Sequence, residues 1–170
     1  MKINVDDNGR IIDENVMQVV NLCILKPNLE EILLIKSEKE PFKKLWGMPG
    51  GKVEDGETPY FAGARELYEE TGITQKPRFP VGLCSENIFE KGKVKYMLSI
   101  SVIKFVTESK YRRSEEGKLN WFAISELDEL NIIPSDPKMI SSFLFKGKYY
   151  AQSNIVKENG KYKLESYWDH

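Results

Sequence analysis

One run of sequence constrains this chain more than any other: GKVEDGETPYFAGARELYEETGI, residues 51–73. A glycine turn, GMPGG, leads into it, and Gly72 closes it. Thr58 stands where a helix N-cap belongs, and Pro59 suits the first helical position because its missing N–H would have no partner there. Gly72 suits the left-handed residue that ends a helix. The intervening run is therefore predicted to be helical, with Ala64, Leu67, Tyr68 and Thr71 as its buried side. Glu66 and Glu70 are four apart and Glu69 falls between them, so three carboxylates crowd along one edge. Like charges at that spacing destabilise a helix by roughly 0.2–0.5 kcal/mol per pair.

A row of glutamates on a helix is ordinarily a solvated face. Here the row sits on a capped element beside a glycine turn, and Arg65, four residues before Glu69, can pair with it. A divalent cation would offset the remaining repulsion. Carboxylate oxygens are hard ligands suited to Mg²⁺ or Mn²⁺, and Mg²⁺ leaves several positions to water and substrate phosphates. Glycine turn and glutamate helix together predict a site for metal and phosphate.

The same run fits the pattern G-x5-E-x7-R-E-U-x-E-E-x-G-U, with U aliphatic, at every defined position: Gly51, Glu57, Arg65, Glu66, Leu67, Glu69, Glu70, Gly72 and Ile73. It resembles the Nudix box, and the preceding LWGMPGG resembles that family's usual lead-in. The resemblance implies an α+β fold, a mixed β-sheet sandwiched between α-helices (an α/β/α sandwich). It also implies a hydrolase of nucleoside diphosphates linked to another group, with water attacking phosphorus.

Carried onto this chain, the resemblance makes Glu66, Glu69 and Glu70 the core metal ligands. Gly51 would add a carbonyl oxygen or a bent path into the helix, and Glu57 would support the metal site by orienting Arg65 or a bound water. Lys36 and Lys52 are the candidates to hold phosphate oxygens, against the reading of either as a surface charge. The loop Ser114-Glu115-Glu116-Gly117 resembles the segment that in MutT-type enzymes carries a further acid, acting as base or extra metal ligand, with Glu116 favoured and Glu115 behind it. Asp136, in Ile133-Pro134-Ser135-Asp136, corresponds to a purine contact of the enzymes that cleave oxidised nucleotides, although a helix cap explains it equally well. The stacking tryptophan of those enzymes is absent, and Gly47 replaces their lead-in asparagine. The implied reaction is cleavage of nucleoside triphosphates, including oxidised purine nucleotides such as 8-oxo-dGTP, to monophosphate and pyrophosphate. Hydrolysis of a nucleotide sugar or other conjugate is the alternative, and a nucleotide-sensing module that does not cleave is a third.

At 170 residues the chain suits a single domain, 1–170. A net charge of −1 gives no global attraction to nucleic acid or membrane, so a small-molecule nucleotide is the expected partner. Cys23 and Cys84 lie in apolar runs and read as buried hydrophobes in a reducing compartment. No apolar run is long enough for a membrane span, and residues 1–10 lack a signal-like segment, so a cytoplasmic protein is expected. The family resemblance allows a homodimer.

Along the chain, a short hairpin or arm is predicted around Asp7-Asn8-Gly9, then strands at 16–26 and 31–37 as an antiparallel hairpin. Phe42 and Trp46 are candidates for a pocket mouth, with core packing the alternative for Trp46. Strands follow at 81–90, 94–107 and 119–123. Ser125 and Asp136 are read as caps of a helical turn and a helix. A last hairpin turns at Asn159-Gly160, a favoured pair.

Overall fold

The computed structural model describes residues 4–5, 11–12, 16–112 and 114–170. Its strands are β1 (Asn4–Val5), β2 (Ile11–Ile12), β3 (Val16–Leu25), β4 (Glu31–Ser37), β5 (Trp46–Gly47), β6 (Gly50–Lys52), β7 (Gly82–Glu90), β8 (Lys93–Val106), β9 (Gly117–Ala123), β10 (Tyr150–Glu158) and β11 (Lys161–Asp169). Helix α1 (Pro59–Thr71) lies between β6 and β7. A 3-10 turn (Ile124–Glu129) follows β9, and α2 (Asp136–Ile140) runs on into a π turn (Ser141–Phe145).

β1 and β2 pair antiparallel, while the expected turn at Asp7-Asn8-Gly9 lies outside the described residues. The large sheet is mixed, in the order β11-β10-β7-β8-β3-β4-β5, with β6 also on β3 and β9 on β4. β3 and β4 do form the expected hairpin, but only Ile24–Leu33 and Leu25–Ile32 pair. The main neighbour of β3 is β8, parallel along its whole length. Because β4 leaves β3 so early, β6 fits against the middle of β3, with Val20 opposite Gly51 and Asn21 opposite Gly50. That insertion brings the glycine turn to the sheet.

Side-chain alternation along β3 explains the two covered faces. Val20, Leu22 and Ile24 point to one face, where they pack with Ile103 and Phe105 of β8 beneath Ala62 and Leu67 of α1. Cys23 and Leu25 point to the other, with Ile100 and Val102 of β8 beneath Met139, Ile140 and Phe143. Both cysteines are free and buried. The sheet between helices is the arrangement implied by the sequence resemblance.

Several local expectations change. α1 starts at Pro59 after an extended Thr58, but the threonine side chain makes no capping hydrogen bond. Its buried residues are Ala62, Gly63, Glu66, Leu67, Glu70 and Thr71, whereas Tyr68 is half exposed with the Arg112 guanidinium 4.9 Å from its ring centroid. The helix rotates two glutamates inward, a burial that hydropathy alone would never assign. Gly72 ends the helix at φ 74°, its N–H donating to the Tyr68 carbonyl at 2.8 Å. Ser125 lies within its turn rather than capping it, and Ser135 precedes α2, so Asp136 is inside the helix. Trp46 meets Phe122 edge-on at 4.7 Å and packs against the core. The terminal hairpin turns through Asn159 and Gly160, both at positive φ.

Candidate active site

The site begins where β6 meets α1. A side chain at Gly51 would collide with the Glu66 carboxylate, so only glycine lets strand and helix approach this closely. One residue earlier, the Gly50 N–H donates to Oε2 of Glu70 at 2.7 Å. Arg65 then organises the outer side of the cluster. Its Nε and Nη2 grip Glu57 at 3.1 and 2.8 Å. Nη1 donates to Oε1 of Glu66 at 2.7 Å and Oε2 of Glu69 at 3.0 Å, and Nη2 also reaches the Lys52 carbonyl at 2.9 Å. The planar fork of arginine suits this bidentate grip.

These contacts sort the acids. Arg65 holds the Glu57 carboxyl below the usual carboxylate range. Burial raises Glu66, partly offset by Arg65, and pushes Glu70 up to about 8, with Glu66 and Glu116 adding to the rise. Glu69 points outward, its side chain 56% exposed. Among the described residues, no three acidic, histidine or cysteine side chains converge into a finished metal cage. Glu66, paired with Arg65, and Glu70, held by the Gly50 N–H, nonetheless supply hard oxygen donors in a buried setting. That donor set fits a metal whose remaining positions go to water and phosphate.

A cleft of about 570 Å³ opens from this cluster. Glu70, Gly50, Gly51 and Lys52 line it, as do Glu116 and Lys39. Lys39 and Glu116 form an ion pair at 2.7 Å between exposed loops, which raises the lysine above its usual range. Glu115 is exposed. Phe42 lines the cleft as expected. Lys36 does not. Its neighbours Ile35 and Ser37 line the cleft, so strand alternation turns Lys36 to the other face, its ammonium 5.9 Å from the Trp46 ring centroid. Lys39, which sequence spacing gave no reason to choose, stands at the cleft instead.

The cleft floor is a set of paired residues running across the sheet. Glu86 on β7 sits opposite Leu98 on β8, which sits opposite Met17 on β3; in the adjoining set, Cys84 faces Ile100 and Ile100 faces Val19. Asp136 closes the floor from α2. Its Oδ2 accepts the Met48 N–H at 2.7 Å, while Oδ1 finds no hydrogen-bond partner among the described residues. Burial pushes Asp136 up to about 8. The asparagine-to-glycine difference at 47 also gains a reason, because a Cβ there would lie 3.2 Å from Asp136 Oδ2 and run into Ile133. Glu86 was missed by sequence reading. The available signal was an acid at an inward position of an alternating strand, between Cys84 and Ile88.

This glycine-and-glutamate site is the hallmark of one enzyme class. Residues 16–143 match the family model of the NUDIX domain. The chain is 31% identical over 134 residues to the uncharacterized Nudix hydrolase YvcI of Bacillus subtilis, covering 78% of this chain and 82% of that one. It is 34% identical over 101 residues to the ADP-ribose pyrophosphatase of Methanocaldococcus jannaschii, covering 59% of each. The crystal structure of a MutT protein from Bacillus halodurans superposes with a TM-score of 0.71 at 28% identity, covering 90% of this chain and 97% of that chain. The chain belongs to the Nudix hydrolase family. Enzymes of this family generally need divalent metal ions, and relatives of this chain carry names spanning ADP-ribose, diphosphoinositol polyphosphates and capped mRNA. No described helix is long and apolar enough to cross a membrane.

Proposed function

We propose that this Nudix hydrolase cleaves nucleoside triphosphates, oxidised purine nucleotides such as 8-oxo-dGTP among them, to a monophosphate and pyrophosphate in a Mg²⁺- or Mn²⁺-dependent reaction. One observation carries the reading: the cleft joins a carboxylate-and-lysine end to an apolar end floored by Asp136, and its volume of about 570 Å³ suits a nucleotide. Glu66, Glu69, Glu70 and the Gly51 carbonyl would hold the metal. When bound, the metal would neutralise phosphate oxygens and lower the pKa of an attacking water.

The chain's own groups do the rest. Glu57 fixes Arg65, and Arg65 fixes Glu66 and Glu69, so the donor set is positioned before substrate arrives. Lys52 and Lys39 line the cleft where phosphate charge would lie. Glu116, which pairs with Lys39 at the cleft, would take the proton of the attacking water. Asp136, which lines the cleft floor, would contact the base. The test is pyrophosphate release from a panel of canonical and 8-oxo triphosphates with and without Mg²⁺. Turnover of dGTP and 8-oxo-dGTP at equal kcat/KM would remove the oxidised-nucleotide reading, and no turnover of any triphosphate would remove the proposal. A nucleoside diphosphate conjugate is the second reading, favoured by similarity to an ADP-ribose pyrophosphatase, and the same panel should include ADP-ribose.

A further inference from the structure

We propose that a groove outside the catalytic cleft, formed by Tyr60, Arg78, Phe79 and Lys104, holds a single-stranded nucleic acid by base stacking and phosphate contacts. The groove has a volume of about 540 Å³ and shares no lining residue with the cleft. β7 joins β8 only from Gly82, opposite Val102, so Lys104 and Val106 near the end of β8 lie beyond that pairing. The segment Pro77-Arg78-Phe79-Pro80 runs beside them, and the first turn of α1 brings Tyr60. Glu70 stands ten residues further along that helix, roughly 15 Å away.

Phe79 is 77% exposed and Phe61 57% exposed. The Tyr60 ring centroid lies 4.7 Å from that of Phe79 and 5.0 Å from that of Phe61, so three rings form one platform. Pro77 and Pro80 restrict the backbone on either side of Arg78 and Phe79, which holds an apolar ring out in water. Exposed apolar patches of this kind mark interaction sites. Charge selects the occupant. No residue lining the groove is acidic, and neither Arg78 nor Lys104 enters an ion pair among the described residues. A second copy docked here about a twofold would set these cations against their own counterparts, so an anion fits better. The Tyr60 and Phe79 rings already touch, so a base stacks on the platform from one side only. One such contact is weak, and a strand of several nucleotides fits better than a mononucleotide.

The experiment is fluorescence anisotropy of a labelled oligo(dT) of about ten nucleotides with the full chain in EDTA, titrated at several salt concentrations. Phe79→Ala should weaken binding at least about fivefold, one stacked base's worth. Arg78→Ala should flatten the slope of log affinity against log salt by about 0.7. Both side chains are exposed, so the two variants should melt with wild type. Lys39→Ala, which removes a cation from the cleft, should leave affinity and slope unchanged. Unlabelled dTMP should compete at least about a hundredfold more weakly than unlabelled oligo(dT). No binding by wild type overturns the inference, as does an unchanged affinity in Phe79→Ala. Weakening in Lys39→Ala but not in Phe79→Ala would put the strand in the cleft and overturn it too. Equal competition by dTMP would overturn the choice of a strand. A wild-type dimer that Phe79→Ala dissociates, with no oligonucleotide bound, would give the groove to a second copy instead. None of these outcomes depends on what the cleft hydrolyses.

Discussion

Replacing Glu70 by glutamine should stabilise the metal-free protein while abolishing its activity. Glu70 is buried against β6 and accepts the Gly50 N–H at 2.7 Å, a bond the glutamine carbonyl can also accept. Burial and the charges of Glu66 and Glu116 push the carboxyl from 4.5 up to about 8. At pH 7 the folded state must therefore keep a proton that the unfolded chain has released. At 1.36 kcal/mol per pKa unit between 4.5 and pH 7, that penalty is on the order of 3 kcal/mol, and glutamine removes it. For a chain of this size, each kcal/mol moves the melting temperature by about 2–4 °C, so the variant should melt roughly 5–10 °C higher in EDTA. Mg²⁺ at a hundred times its Kd should then stabilise wild type by about 2.7 kcal/mol and the variant far less, closing the gap. Losing a ligand that supports several kcal/mol of transition-state stabilisation should lower kcat by about a thousandfold or more. Differential scanning fluorimetry with and without Mg²⁺, beside a pyrophosphate-release assay, reads all three effects. A variant less stable than wild type in EDTA, or one that gains as much from Mg²⁺, would refute the reasoning.

Three further outcomes follow from the same geometry. Gly51→Ala drives a methyl group into the Glu66 carboxylate, so the metal concentration for half-maximal rate should rise at least about tenfold, and an unchanged metal titration would contradict the close approach. Arg65→Lys cannot reproduce the two-pronged grip on Glu57 while also reaching Glu66, Glu69 and the Lys52 carbonyl; each lost charge-assisted bond is worth about 1.5–3 kcal/mol, so both melting temperature and kcat should fall. In EDTA, stability in urea should decline from about pH 5 to pH 8, because Glu70 and Asp136 each titrate near pH 8 when folded but at their ordinary acidic values when unfolded. The folded state then binds more protons across that window, and stability falls as they are lost; a midpoint that rises with pH would contradict the burial of these two acids.

How much of this was legible in the sequence depends on the range of the interaction involved. The helix bounded by Pro59 and Gly72, the hairpin at Asn159-Gly160 and the alternating strands are set by local backbone chemistry, and they stand where the residues predicted. That the glycine turn and the glutamate helix would share one site was legible too, because both are written within one short run, but the close approach of Gly51 to Glu66 was not. What spacing could not show is which side of an element faces the cleft. Lys36 and Lys39 look alike in sequence, and only the early divergence of β4 from β3 and the loop that follows turn the second one inward. Asp136 passed for a cap because aspartate suits helix starts, yet its carboxylate reaches back to Met48, far away in sequence. Glu86 is the same lesson in reverse, a polar residue at an apolar position whose partner, the Ser153 hydroxyl, arrives only when β10 pairs with β7.

The most direct test of the central claim is a crystal of the full chain grown with Mn²⁺ and a non-hydrolysable guanosine triphosphate analogue, with the manganese located by its anomalous signal. The expected result is manganese bound by Glu66 and Glu70 beside Gly51, phosphates toward Lys39 and Lys52, and the base against Asp136. Manganese bound away from the α1 glutamates, or a nucleotide lying outside the cleft, would contradict it.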